Sequence, residues 1–217
     1  AKAGAGSGGS FYGYQLVLVG NKIAAQIMSN TNFVNPADGL QGTTILNDGK
    51  WHHVALVVSK LSLNAKLFVD GVEEANITDP KLNGNINTTA PLYIGANREP
   101  LVGLTFNGSI DEVRIWSTER SQVELKANLS NQVSTSSTGL VAYYTFDSGT
   151  VGSTNPSVTT LFDQTINSNN GTLNNCTLTG NSSNWVESYA MVVPTTTAAA
   201  TISSTGFTAN WTAPLIG

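Results

Sequence analysis

Hydrophobic residues along this chain occur in short runs that are separated by polar turn sequences. The clearest run spans 51–59, where a continuous apolar stretch at 54–58 predicts a strand whose successive side chains point to opposite faces. Its two faces consist of Val54, Leu56 and Val58 on one side and His53, Ala55 and Val57 on the other. Comparable runs predict further strands at 11–19, 22–28, 65–69, 72–77, 91–95, 109–116 and 139–146.

Two pairs of these strands are joined by dipeptides that favour tight hairpins. Gly20-Asn21 follows the run at 11–19, and Asp70-Gly71 follows the run at 65–69. Gly-Asn is a two-residue hairpin signal, and Asp-Gly tolerates the left-handed backbone that a type I′ turn requires. The sequence therefore predicts two antiparallel hairpins in a mostly β chain.

One short helix is predicted over Ser121–Leu129. Ser121 and Glu124 have the spacing of a capping box, in which each side chain bonds to the backbone N–H of the other residue. Val123, Leu125 and Leu129 would form an apolar stripe on one face of this helix. Because the other runs lack helical periodicity, we expect an all-β fold with a single helix.

The end of the chain differs from the rest in composition. Pro194 and the Thr/Ala run at 195–200 predict a linker, and the alternation over Thr205–Trp211 predicts one strand without a partner. This last run resembles the opening of a fibronectin type III domain. We therefore expect one domain over 1–190, and a linker with the first strand or strands of a fibronectin type III-like domain over 191–217.

Composition narrows the possible functions of the 217-residue chain. Its 11% charged residues compare with roughly a quarter in an average soluble protein, and 40% hydrophobic residues argue against intrinsic disorder. A net charge of −4 offers no basic surface for a phosphate backbone, so nucleic acid is not an expected partner. No apolar run approaches the length of a membrane span, and the small, Gly-rich opening predicts no targeting peptide.

Several motifs occur in a fixed order, and together they resemble one family. They are W-H-H-V-A-L-V at 51–57, L-F-V-D-G-V at 67–72, L-Y-I-G at 92–95, F-N-G-S-I-D-E-V-R-I-W at 106–116, G-L-V-A-Y-Y-T-F-D at 139–147 and N-N-G-T-L at 169–173. Over about 1–189 the chain is similar to the laminin-G-like, concanavalin A-like lectin and glucanase jelly rolls, which include the pentraxin-like proteins. The resemblance implies an antiparallel two-sheet β-sandwich that lacks its first strands, because the family's usual opening motifs do not precede Ala1.

Catalysis is not expected from the carboxylates of this chain. The sugar-cleaving relatives carry an E-x-D-x-x-E arrangement on one strand, which the sequence lacks. Glu73 and Glu74 are adjacent and should point to opposite faces of a strand, as should Asp111 and Glu112. No serine has the context of a nucleophile elbow, so we predict a protein without catalytic residues.

Calcium is the metal that the sequence favours. Adjacent residues His52 and His53 should diverge on a strand, so a zinc site is not expected there. The resemblance implies that Asp111 and Asp147 contribute oxygens to one structural calcium. If Asp111 begins one strand and Asp147 ends its antiparallel neighbour, the two carboxylates meet at the same sheet edge. Asp163 with Asn167 and Asn170 is a weaker alternative.

The favoured function is lectin-like recognition of a glycan or a surface protein by a module of a larger secreted or cell-surface protein. Tyr12, Tyr14, Trp116 and Trp185 are the rings available as sugar platforms, although each is also a candidate core residue. The specific ligand-binding residues stay unknown from sequence. Two alternatives remain: a structural spacer or protein-interaction module without a sugar site, and an accessory module of a polysaccharide-degrading enzyme.

Overall fold

The computed structural model of the chain describes residues 2–5, 11–29, 33–96, 105–174, 176–179, 185–190, 195–203 and 206–212. Strands in antiparallel sheets dominate these residues, and their only α-helix has six residues. The predicted all-β fold with one short helix is therefore confirmed. The chain divides into two compact units, which we call the first unit (1–110 and 116–126) and the second unit (111–115 and 127–217).

The first unit contains two antiparallel sheets. One sheet has the order β1 (Lys2–Ala5), β2 (Phe11–Val19), β3 (Lys22–Met28) and β4 (Phe33–Val34). The other consists of β5 (Val54–Ser59), β6 (Asn64–Val69) and β7 (Val72–Thr78). Two short 3₁₀ helices lie at Pro36–Asp38 and Pro80–Asn83.

A single apolar core joins these two sheets. The first sheet and the loop after it contribute Ile23, Ala25, Ile27, Val34 and Leu40; the second sheet and the helix after it contribute Ala65, Leu67, Val69, Ala75 and Leu82. Of the two faces predicted for β5, the one formed by Val54, Leu56 and Val58 packs against this cluster. This is the arrangement of a β-sandwich, in which alternate positions of facing sheets are buried together.

Both predicted hairpins have the expected turns. Gly20 and Asn21 have φ values of 57° and 64°, and Asp70 and Gly71 have φ values of 50° and 72°. Positive φ at both central residues defines a type I′ turn, whose twist matches that of the flanking strands. These turns fix the register of β2 with β3 and of β6 with β7.

The second unit contains shorter paired strands. β8 (Val113–Trp116), whose last residue belongs to the first unit, pairs with β9 (Leu140–Tyr144). β10 (Thr160–Leu161) pairs with β11 (Gly171–Thr172), and β12 (Thr195–Ser203) pairs with β13 (Gly206–Thr212). α1 (Gln122–Ala127) lies between β8 and β9 in the sequence.

Three local predictions are wrong. The Thr/Ala run at 195–200 is part of β12 rather than a linker, so the terminal strand has a partner; β-branched threonines favour such pairing. Residues 91–95 form no strand, because Pro91 has no N–H to donate and Gly95 has a φ of 76°. In α1, Val123 is 77% exposed, so it does not contribute to a buried stripe. Residues 191–194, including Pro194, lie outside the described residues.

Candidate functional site

A groove of about 350 Å³ lies on the outer face of the β5–β7 sheet, within the first unit. The sheet contributes Val57, Ser59, Asn64, Lys66, Phe68 and Glu73. The segment that leads into α1 and the first turn of α1 contribute Glu119, Arg120, Ser121, Gln122 and Glu124. Because alternate strand positions face opposite ways, the same strands that build the core also present these side chains outward.

Polar side chains of the groove, together with the neighbouring Asn76, form a connected row across β6 and β7. Lys66 Nζ lies 3.0 Å from Glu73 Oε2, and Asn76 Nδ2 donates to Glu73 Oε1 at 2.7 Å. Asn64 Nδ2 donates to Asn76 Oδ1 at 2.6 Å. The hydrogen bond from Asn76, followed by that from Lys66, lowers the pKa of Glu73 despite some burial. Glu73 is therefore ionised and held in place.

The opposite wall of the groove is fixed by the start of α1. Ser121 N donates to Glu124 Oε2 at 2.8 Å, and Glu124 N donates to Ser121 Oγ at 3.3 Å, which confirms the predicted capping box. Arg120 Nη2 lies 2.8 Å from Glu124 Oε1. The hydrogen bonds from Ser121 to Glu124 lower the pKa of that carboxyl group, and the Arg120 charge adds to the effect. Gln122 Nε2 donates to Gly71 O at 2.8 Å and ties α1 to the β6–β7 turn.

None of the four aromatic residues proposed from sequence lines the groove. The Arg120 guanidinium lies 4.2 Å from the centroid of the Trp116 ring, so it covers one ring face. Trp185 in the second unit packs against Gly149, where an added Cβ would lie 2.2 Å from the indole. Tyr12 and Tyr14 are half-buried on β2. The groove residues are mostly polar positions on an outer strand face and carry no distinctive sequence motif, so the sequence did not indicate them as a site.

The predicted calcium ligands both lie in the second unit. Asp111 is half-buried just before β8; its Oδ1 accepts from Glu112 N at 2.8 Å, and its Oδ2 accepts from Ser188 Oγ. Asp147 is exposed after the end of β9. Burial raises the pKa of Asp111, and the charges of Glu112 and Asp147 add to this shift. The negative charge of Asp147 therefore acts on Asp111.

Glu112 is neutralised by a buried basic partner. Arg114 Nη2 lies 2.7 Å from Glu112 Oε2, and the same oxygen accepts from the Tyr143 hydroxyl. Arg114 also donates to the carbonyls of Asn128 at 3.1 Å and Asn131 at 2.8 Å. Burial and then the bond to Glu112 raise the pKa of Tyr143 to about 12. Across the described residues, no group of three or more His, Cys, Asp or Glu side chains is arranged to hold a metal.

The alternative acidic loop is occupied by its own hydrogen bonds. The Asp163 carboxylate accepts from the N–H groups of Tyr143 at 3.0 Å and of Thr165 and Asn169 at 2.9 Å, and from the Thr165 hydroxyl. Burial opposes ionisation, but these donors outweigh it and lower the pKa of Asp163. Asn170 Oδ1 accepts from Asp163 N at 2.9 Å. These groups close the loop 163–170.

The two histidines and the adjacent glutamates have structural contacts. His52 Nδ1 lies 2.8 Å from Asp70 Oδ2, and His52 Nε2 lies 3.1 Å from Asp48 Oδ1. His53 N donates to Asp70 Oδ1 at 2.9 Å. Glu74 accepts from the N–H groups of the 43–44 loop at 2.7 and 3.1 Å, whereas Glu73 faces the groove. The two glutamates therefore diverge as predicted.

A protein-family model described as the concanavalin A-like lectin/glucanases superfamily (Laminin_G_3) matches residues 2–126, more than half of the chain. The chain belongs to this superfamily. The match includes both sheets of the first unit and the groove, but it does not extend to the predicted fibronectin type III segment. No curated protein matches the chain.

Two solved structures match part of this chain. One is a proposed carbohydrate-binding protein from Bacteroides ovatus, with 21% identity, a TM-score of 0.46, and coverage of 70% of this chain and 42% of its own. The other is residues 221–444 of an S-layer domain-containing protein from Clostridium thermocellum, with 18% identity, a TM-score of 0.31, and coverage of 54% and 63%. The chain thus spans less than two thirds of either structure. In the part of the chain that the structure describes, no helix has the length and apolarity of a membrane span.

Proposed function

We propose that this superfamily member is a non-catalytic carbohydrate-recognition module whose binding site is the groove of the first unit. The observation that carries the proposal is that ion-paired and hydrogen-bonded side chains line both walls of the groove. Sugar hydroxyls both donate and accept hydrogen bonds, so they match such a row. The groove volume of 350 Å³ falls in the range of roughly 300–1,000 Å³ that is common for small-molecule sites.

Preorganisation supports binding at this site. Lys66 and Glu73 lie on paired strands, and Arg120 and Glu124 are held by the capping box of α1. Side chains that are already ordered lose little conformational entropy when a ligand arrives. The site needs no rearrangement of the fold to present its donors and acceptors.

The carboxylates of the groove argue for recognition rather than hydrolysis. A glycosidase needs one carboxylic acid with a raised pKa to protonate the leaving group. Hydrogen bonds instead lower the pKa of Glu73 and of Glu124, so both groups stay ionised. We propose that the module acts outside the cell within a larger secreted or surface protein, where it binds a glycan or a surface protein.

A glycan-array screen with the full chain tests this proposal, and it is followed by incubation of the positive polysaccharides with the protein. We expect binding to at least one glycan and no release of oligosaccharides. Reproducible cleavage that is lost in Glu73→Gln or Glu124→Gln would overturn the non-catalytic assignment. If no glycan binds, the spacer or protein-interaction alternative replaces the proposal.

We also propose that Asp111 and Asp147 contribute oxygens to one structural calcium. Support comes from the negative charges of Glu112 and Asp147, which add to burial in raising the pKa of Asp111. A divalent cation would remove this repulsion. Since Arg114 already neutralises Glu112, backbone carbonyls and water would have to complete the shell.

Thermal unfolding with calcium and with a chelator tests this second proposal. An ion that binds only the folded state stabilises it by mass action, so millimolar calcium should raise the unfolding temperature. Asp111→Asn should abolish the difference, whereas Asp163→Asn should leave a difference in place. Superimposed melting curves for the unmodified chain would refute the calcium site.

For residues 191–217 we propose the start of a fibronectin type III-like module. The antiparallel pairing of β12 and β13 supports a second structured segment there. Extension of the chain beyond Gly217 should yield a cooperatively folded domain, measured by amide exchange of β13. A hairpin that exchanges equally fast in the extended chain would contradict this proposal.

A further inference from the structure

We infer that the groove of the first unit selects neutral oligosaccharides over sulfated or uronic-acid glycans. This inference rests on the proposed carbohydrate recognition and names the ligand class of the same site. It depends on how the cations of the groove are already paired, on the net charge of the lining, and on the hydrogen-bonding character of hydroxyl groups.

Each cation that is described in the groove already has a carboxylate partner. Lys66 Nζ lies 3.0 Å from Glu73, and Arg120 Nη2 lies 2.8 Å from Glu124. The Arg120 guanidinium also lies over Trp116 at 4.2 Å, which fixes its plane. A sulfate or carboxylate of a ligand that approaches either cation therefore also approaches the glutamate that is paired with it, and the two negative charges repel each other.

The charge of the lining also disfavours an anion. Its described members carry two positive charges, on Lys66 and Arg120, and three negative charges, on Glu73, Glu119 and Glu124. The whole chain has a net charge of −4. A site with a negative surplus on a negative protein repels an acidic chain during its approach.

A hydroxyl group complements the ion pairs in a way that an anion does not. A lysine ammonium has three donors, of which the contact with Glu73 uses one, and a carboxylate has several acceptor positions. One sugar hydroxyl placed beside Lys66 and Glu73 can accept from the ammonium and donate to the carboxylate at once. A sulfate or carboxylate oxygen can only accept, so it satisfies Lys66 and faces Glu73 as a like charge.

The amides of Asn64, in the groove, and of the neighbouring Asn76 extend the same hydrogen-bonding chemistry. Asn64 donates to Asn76, and Asn76 donates to Glu73, so donors and acceptors alternate across two strands. Phe68 forms the floor but is only 3% exposed, which leaves little ring surface for stacking. Affinity should therefore depend on hydrogen bonds to neutral hydroxyls and respond little to salt.

The test is isothermal titration of the full chain against two sets of hexasaccharides. The neutral set is cello-, laminari-, xylo-, manno- and chitohexaose, and the acidic set is oligogalacturonate, oligoguluronate and a heparin hexasaccharide. Each titration is repeated at 50 and 500 mM NaCl. We expect at least one neutral sugar to bind with a Kd that changes less than twofold with salt, and acidic sugars to bind at least tenfold more weakly.

A matched pair of variants locates the binding. Lys66→Met with Glu73→Gln should weaken the neutral ligand at least tenfold. Lys81→Met is the control, because Lys81 is also ion-paired, at 3.3 Å to Asp38, and its side chain is 40% exposed against 37% for Lys66. Lys81 does not line the groove. Thermal melting tests whether each variant is folded. If the double variant is not, changes in the backbone amide shifts of the unmodified chain on adding the sugar map the site.

The outcomes separate this inference from the proposed function. If only acidic hexasaccharides bind, with a Kd that rises steeply with salt, neutral selection is wrong and carbohydrate recognition stands. If neutral sugars bind but the groove variant and the mapped shifts show no effect there, the groove assignment is wrong. If neither these hexasaccharides nor any glycan on the array binds, carbohydrate recognition itself is wrong and the inference falls with it.

Discussion

The two units of this chain use different chemistry in their interiors. The first unit buries a cluster of apolar side chains between two sheets, and the ion pairs of its groove lie outside that cluster. The second unit buries a charged network, in which Glu112 and Arg114 have side chains only 10% and 9% exposed. Apolar burial is non-directional, whereas a buried ion pair is favourable only when each partner is present and well oriented.

This difference in interior chemistry predicts how each unit responds to amino-acid substitutions. A core of alternating aliphatic residues accepts many substitutions of similar volume, and each costs energy in proportion to the cavity that it leaves. A buried network does not degrade in this gradual way, because loss of one partner leaves the other charged and desolvated. Single changes should therefore affect the second unit more abruptly than the first.

The largest expected effect is that of Arg114→Met. This change leaves Glu112 buried without its cation and should destabilise the second unit by about 3–5 kcal/mol. Urea unfolding followed by amide exchange of β9 measures the loss. Arg114→Met combined with Glu112→Gln should recover part of it, because the buried charge is then removed. A double variant that is less stable than Arg114→Met would contradict the network interpretation.

Leu67→Ala should have a comparable or smaller effect on the first unit. Leu67 is completely buried between the two sheets, and such truncations cost about 2–5 kcal/mol. Urea unfolding followed by amide exchange of β6 is the measurement. Val72→Ala on the adjacent strand, where the side chain is 54% exposed, is the control and should change stability by less than about 0.5 kcal/mol. Equal effects of the two variants would argue against the core described for this unit.

Asp163→Asn should reduce stability by about 1–3 kcal/mol at neutral pH, because an amide cannot accept from all four donors around it. The folded-state pKa of Asp163 lies below the unfolded value of 3.8. Its contribution is therefore complete above the unfolded value and is lost as the pH falls through the folded value. The difference in unfolding free energy between the unmodified chain and the variant should narrow on acidification. A constant difference would contradict this assignment.

His52→Gln should have the smallest effect and the opposite pH dependence. Burial alone lowers the pKa of His52, but the hydrogen bonds and charges of Asp70 and Asp48 raise it above 6.5 overall. The stabilisation is complete below the unfolded pKa and is lost as the pH rises through the folded pKa. The advantage of the unmodified chain over the variant should shrink from about pH 5.5 to about pH 8.5. A stability advantage that grows over this pH range would contradict the assigned interactions of His52 with Asp48 and Asp70.

Much of the fold was predictable because its signals are local. The turn at Gly20-Asn21 and the two faces of the strand over 54–58 follow from the backbone preferences of neighbouring residues. The capping box of Ser121 and Glu124 needs residues only three positions apart. Such features depend little on the rest of the chain, so the sequence alone was sufficient to predict them.

The candidate site was less predictable because it is assembled from several segments. Lys66 on β6 pairs with Glu73 on β7, the next strand of the hairpin. The opposite wall comes from the start of α1 and the segment before it. The sequence predicts that Glu73 lies on a strand and that Ser121 and Glu124 lie at a helix start. It does not predict that these residues line the same groove. The strand predicted at 91–95 is absent, since Pro91 and Gly95 override the strand preference of the apolar residues between them.

By itself, the sequence determined the β class, the two type I′ hairpins and the position of the helix, because these depend on interactions within a few residues. Tertiary structure alone decided which distant groups became partners. Ser188 is 77 positions from the Asp111 carboxylate to which it donates, and His52 lies between Asp48 and Asp70. A local pattern states which face a side chain occupies, whereas the pairing of charges and the pKa shifts that follow depend on distances that only the folded chain defines.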